Sequence, residues 1–159
     1  MAGCDFNPRW FWTKTNYIEI NKILPLLKKP LFHICSGVSE IGDIKLDRSC
    51  IDKHTDTREW QQGHCDLMGD MCHLPFRSSV AGSVIIDPPY KYDFTKPELI
   101  SEIVRICKPG GKIIFIAPWI PNHKNLSVIS TDLWNVGKNG AYFKIRTLFF
   151  KSGSQLEDF

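Results

Sequence analysis

The chain has 159 residues, which sets a single domain as the expectation, and a chain of this size can bury roughly 70% of its unfolded surface in its own core. Hydrophobic residues make up 43% and charged residues 23%, an ordinary globular mixture with no low-complexity segment or internal repeat. The net charge of +3 allows an anionic partner without arguing for one. There is no long apolar run that would span a membrane, and the start MAGCDFNPRW lacks the pattern of a secretory signal. A cytoplasmic location is therefore expected, with the six cysteines reduced.

In chain order, residues 1–30 form an aromatic and partly helical segment expected to pack on the domain rather than form a second one. Ile18, Ile20, Ile23, Leu24 and Leu27 fall near helical spacing, with Pro25 interrupting them. PLFHICSG reads as a short buried strand entering a small-residue loop, and IKLD, residues 44–47, as a second strand ending in an acid. Residues 48–65 are polar and are expected to be loop or short helix. LMGDMCHLPF holds a third short extended piece. Val84, Ile85 and Ile86 make the clearest strand, stopped by Pro88. KPELISEIVRIC, residues 96–107, reads as a helix with Leu99, Ile100, Ile103, Val104 and Cys107 on one face. KPGG is expected to close it, and KIIFIAPW to be the next buried strand. TDLWNVGKNG reads as a cap, a short helix and a turn, and YFKIRTLFF as a long final strand.

This order predicts an α/β fold: a Rossmann-like, mostly parallel sheet with helices on both faces. In such sheets ligands sit beyond the carboxyl ends of the strands. The polar signals gather there: Cys35-Ser36-Gly37 after the first strand, Asp47 ending the second, Asp70 after the third, and Asp87-Pro88-Pro89-Tyr90 ending the fourth.

VIIDPPY, with HICSG upstream and CKPGGKIIFI downstream, resembles the class I S-adenosylmethionine-dependent methyltransferases. Within them it is most similar to the amino-methyltransferases that modify exocyclic nitrogens of nucleic-acid bases. The resemblance spans roughly residues 31–117. It implies that Asp87, Pro88, Pro89 and Tyr90 carry the chemistry on a DNA or RNA substrate, with adenine N6 the first choice and cytosine N4 the second. It also implies that S-adenosyl-L-methionine is held by Cys35, Ser36 and Gly37 at the methionyl part, by Asp47 at the ribose, and by Asp70 and Met71 at the adenine. The N-terminal WFWTKTNY would lie over the methionyl end.

The chemistry fits those residue types. An exocyclic amine conjugated with its ring is a poor nucleophile that improves as its nitrogen becomes tetrahedral. The Asp87 carboxylate and the Pro88 carbonyl supply two acceptors that draw its hydrogens out of the ring plane. Two prolines stiffen the turn that aims them, and Tyr90 offers a face on which an extruded base stacks.

Two departures stand beside the resemblance. Only ten residues separate Ser36 from Asp47, so the first crossover helix must be shortened or missing, and no target-recognition domain is visible, which leaves room for a partner subunit. Other readings remain open at this point: a methyltransferase acting on guanine N2, a protein amide or a small molecule, or a non-catalytic cofactor- or nucleotide-binding subunit of the same fold. Cys50, His54, His64, Cys65, Cys72 and His73 are metal-ligand types, but without a C-x-x-C pair or a standard spacing no metal is expected. His33 reads as a core histidine. Trp119 reads equally as a pocket border or as core.

Overall fold

The computed structural model describes Trp12 and residues 14–37, 39–48, 51–53, 60–62, 65–89, 97–136 and 142–153. Seven strands form one sheet: β1 (Leu31–Ile34), β2 (Ile44–Asp47), β5 (Leu67–Met68), β6 (Ala81–Ile86), β7 (Cys107–Ala117), β8 (Leu126–Val136) and β9 (Tyr142–Lys151). Their spatial order is β5-β2-β1-β6-β7-β9-β8. The strands from β5 to β7 run parallel, and β9 is inserted antiparallel between β7 and β8. From β1 the chain moves outward to β2 and β5, then returns to β6 and moves the other way. The strand order therefore reverses between β1 and β6.

The central strands are apolar because both faces are covered. All four residues of β1 and all six of β6 are buried. One face is sealed by α2 (Pro97–Ile106), whose Leu99, Ile100, Ile103, Val104 and Ile106 pack against Phe32, Ile34, Val84, Ile86 and Phe115. Pro97 opens this helix, where its missing N–H has no partner to lose. The other face is covered by α1 (Lys14–Ile23) and a 3-10 turn at Leu24–Leu26, through Ile20 and Leu27 against Leu31, Ile85, Ile114, Ile116 and Trp134. Gly82 lies where this segment meets the sheet: a Cβ there would stand 2.3 Å from the Lys29 carbonyl oxygen.

The expected fold class and the first four sheet strands stand as read. The connection from β1 to β2 holds no helix among the described residues, in line with the ten-residue gap. Several local readings are corrected. The helix read from residue 17 begins at Lys14, and Pro25 converts its end into the 3-10 turn. In the 48–65 stretch the described residues include a two-stranded ribbon, β3 (Ile51–Lys53) against β4 (Trp60–Gln62), rather than loop or helix. KPGG does not form a closing turn; it belongs to β7, which starts directly at Cys107 and carries Gly110 at φ 73°. TDLWNV is strand β8, because pairing along β9 and burial of Trp134 on the α1 face outweigh the local cap and turn residues. Cys65 is disulfide-bonded, against the expectation that all six cysteines are reduced, while Cys35, Cys72 and Cys107 are thiols. Cys50, His54 and His64 lie outside the described residues. Among the described residues no helix is long and apolar enough to cross a membrane.

Candidate active site

Register builds the site. Ile34 pairs with Leu46 on one side and with Ile86 on the other. The next residue of each strand therefore falls in one row at the carboxyl edge: Asp47, Cys35 and Asp87. This row straddles the point where strand order reverses, which is where open α/β sheets bind ligands.

The turn after β1 is shaped by backbone conformation. Cys35 has φ 58° and Gly37 φ 52°. The left-handed region costs a non-glycine residue roughly 1 kcal/mol. It also redirects the side chain: continued alternation would follow Leu31 and His33 toward α1, but Cys35 turns to the α2 side, its Sγ 3.5 Å from Met71 Sδ. The Gly37 N–H donates to Asp47 Oδ2 at 2.8 Å, and the Arg48 N–H to Asp47 Oδ1 at 2.6 Å. Burial, followed by the carboxylates of Asp47 and Asp87, pushes the Cys35 thiol well up, with smaller contributions from Cys72 and Asp70. Cys35 is thus an unreactive thiol ringed by acids.

Asp70 is exposed and caps its own turn. Its Oδ1 accepts the Cys72 N–H at 2.9 Å, and its Oδ2 stands 3.4 Å from His73 Nδ1. The Cys72 N–H, more than His73, holds its carboxyl below the ordinary range. The segment that follows is bracketed by α2. Glu102 Oε2 accepts the Leu74 N–H at 2.8 Å, and Arg105 donates to the Phe76 and Leu74 carbonyls at 2.7 and 3.1 Å. Met71 is half-buried beside Cys35.

Asp87 shows what sequence reasoning missed. Its carboxylate is turned toward α1 and is held there. Lys144 Nζ on β9 donates to Oδ1 at 2.7 Å and to Oδ2 at 3.0 Å, and the Trp12 indole Nε1–H donates to Oδ2 at 2.7 Å. The Lys144 side chain is 1% exposed and that of Asp87 12%. Burial lowers the Lys144 ammonium from its ordinary value, and Asp87 opposes that shift. Trp12 stacks on His33, with centroids 5.4 Å apart, and meets Trp134 edge-on at 5.6 Å. His33 donates Nδ1–H to the Ile41 carbonyl at 3.0 Å, and its burial lowers it to about 4, so it is a neutral core imidazole. Tyr17 of α1 lies near Ser39, and its phenol is raised by burial, with Glu40 and Asp87 adding to the rise. One signal for Lys144 was present in the sequence: Lys144 and Arg146 alternate with apolar residues in YFKIR, and a cation on an inward strand face calls for an acid.

Pro88 is buried and Pro89 half-buried, continuing from β6, and Tyr90 lies outside the described residues. The structure thus brings Cys35, Ser36, Gly37, Asp47, Met71, Asp87 and Pro88 to one edge, with Asp70 at its rim. Trp119 is partly buried and packs edge-on against Phe115, at 6.2 Å, at the margin of the α2-face core.

No protein-family model matches the chain, and no curated protein matches it. Solved structures do. An S-adenosylmethionine-dependent methyltransferase of Methanosarcina mazei aligns at a TM-score of 0.55 with 8% identity, over 82% of this chain and 97% of that one. The fold is that of the S-adenosylmethionine-dependent methyltransferases. The magnesium protoporphyrin IX methyltransferase of Synechocystis, solved with S-adenosylmethionine bound, aligns at 0.55 with 13% identity, over 87% and 77% of the two chains. The 16S rRNA adenine-1408 N1-methyltransferase of Catenulisporales acidiphilia aligns at 0.50 with 11% identity, over 92% and 96%. At these identities the methyltransferase fold is what the likeness establishes.

Two features at the strand edge fit that cofactor. The Asp47 carboxylate stands at the end of β2 with the Gly37 backbone folded against it, and the Ser36 hydroxyl, in the same turn, is buried with no hydrogen-bond partner among the described residues. Hydroxyls and an amino acid group are what such a lining can bind.

Proposed function

We propose that the chain transfers a methyl group from S-adenosyl-L-methionine to an exocyclic amino group of a nucleic-acid base, adenine N6 first and cytosine N4 second. The observation that carries this reading is the single row Asp47, Cys35 and Asp87 at the strand-order reversal, with Pro88 directly after Asp87. Asp47 would bind the ribose hydroxyls, the Cys35–Gly37 turn the methionyl part, and Asp70 and Met71 the adenine. The cofactor supplies a methyl group on a positively charged sulfur. Asp87 and the Pro88 carbonyl would accept the two hydrogens of the substrate amine, freeing the nitrogen lone pair from its ring. Pro89 would stiffen the turn, and Tyr90 would stack on the base. Trp12 and Tyr17 would border the methionyl end. The likeness to an rRNA adenine methyltransferase supports a nucleic-acid substrate as a class.

The test is transfer from labelled cofactor to DNA and RNA, followed by nucleoside analysis. Asp87→Ala should lower transfer by about 10²- to 10³-fold while cofactor affinity stays within about threefold. Undiminished transfer by the variant would refute the role of Asp87.

One observation favours a second reading. The Asp87 carboxylate is already held by Lys144 and Trp12, which suits a non-catalytic cofactor-binding subunit of a larger enzyme. Cofactor binding without transfer to any acceptor would select that reading.

A further inference from the structure

The ion pair at Asp87 joins elements far apart in the chain. Lys144 lies on β9 and Asp87 follows β6, and these strands are separated by β7. Beyond Ala117, where β7 ends, Lys144 reaches back across that gap to both carboxylate oxygens. The Trp12 indole fixes the carboxylate from a third direction. Among the described residues, the titratable or charged groups near Asp87 include Lys144 from β9, with Arg146 in the same cross-strand row, Tyr17 from α1, and His33 and Cys35 from β1 and its end. Lys144 is the cation hydrogen-bonded to Asp87, and burial keeps His33 neutral. A buried charge is held by its partner far more firmly than an exposed one, since water cannot replace the partner.

We propose that Lys144 is a positioning residue of this active site: with Trp12 it fixes the orientation in which the Asp87 carboxylate meets the substrate amine as a hydrogen-bond acceptor. The inference rests on the methyltransferase reading for its kinetic consequence, but not for its structural one. It has a corollary for the acceptor. The Asp87–Lys144 pair is neutral as a unit, so an ammonium or guanidinium group gains little by approaching it, whereas an uncharged amino group still meets a carboxylate acceptor. Lys144 acts through Asp87 and makes no substrate contact in this scheme.

The experiment compares the full chain with Lys144→Met and Lys144→Arg. The first readout, on cofactor-free protein, is solvent exchange of the Trp12 indole N–H, which bonds the Asp87 carboxylate, followed by ¹⁵N NMR and assigned by its loss in Trp12→Phe. The second is the rate of methyl transfer to an adenine- and cytosine-containing oligonucleotide. With Lys144→Met the indole N–H should exchange about tenfold faster, and transfer should fall by about 10²-fold, while Lys144→Arg should retain most of the rate and the protection. An indole N–H that exchanges in Lys144→Met as in the parent chain overturns the proposal. If the methionine variant does not fold, Lys144→Gln, which also removes the charge, is read the same way. If the parent chain methylates no acceptor, the functional reading falls, and the indole exchange alone still decides the role of Lys144.

Discussion

The two faces of the sheet are built from the same strands and buried to the same depth, yet their chemistry differs. Under α2, Phe32, Ile34, Val84, Ile86, Ile103 and Phe115 form an apolar layer. Under α1, the alternate residues of those strands and of β9 place His33, Asp87 and Lys144 among Leu31, Ile85, Ile116 and Trp134. Burying polar groups is expensive unless each is paired. Three pairings on the α1 face lie near the carboxyl edge of the sheet, His33 to Ile41 and Asp87 to Lys144 and Trp12, while Ser83, in the amino-terminal half of β6, accepts the Lys28 N–H. One face holds the fold together, and the other gives up packing to orient groups at the strand ends.

This contrast can be broken from either side. The largest effect is expected on the apolar face. Ile103 is 1% exposed, and Ile103→Ala should remove about 4 kcal/mol of stability in urea unfolding by opening a cavity, with no pH dependence of that loss. A smaller and pH-dependent effect is expected on the polar face. His33 titrates at about 4 when folded and near 6.5 when unfolded. Between those values the unfolded chain binds a proton that the native state refuses. Stability should therefore fall as the pH drops through 6.5 toward 4, by up to roughly 3 kcal/mol, and this contribution should be constant above 6.5. His33→Asn, which can still donate to the Ile41 carbonyl, should flatten that acid slope. An unchanged slope would mean that His33 is not the group responsible.

The sequence made the parallel half legible because its signals are local. The apolar strands IIFIA and VII, the single-faced helix at residues 97–106, and the acid ending IKLD each point to one element. The ten-residue gap between Ser36 and Asp47 likewise revealed the missing crossover helix. What the sequence hid was set by distant pairing. LWNV has turn-like neighbours and becomes β8 only because β9 lies beside it. Cys35 reads as a small buried residue in a loop, and only its left-handed backbone turns it toward Met71. The partners of Asp87 come from 75 and 57 residues away, beyond the reach of any motif. The Asp-Pro-Pro corner was found, but not the lysine that holds it.

The most direct test of the account is calorimetric titration of the chain with S-adenosylhomocysteine, the demethylated form of the proposed cofactor, beside Asp47→Ala. Asp47 accepts the Gly37 N–H at one end of the row, so the parent chain should bind one equivalent and the variant about tenfold more weakly, a change of roughly 1.4 kcal/mol. Absence of binding by the parent chain, or equal affinity in the variant, would contradict a cofactor site built from the ends of β1 and β2.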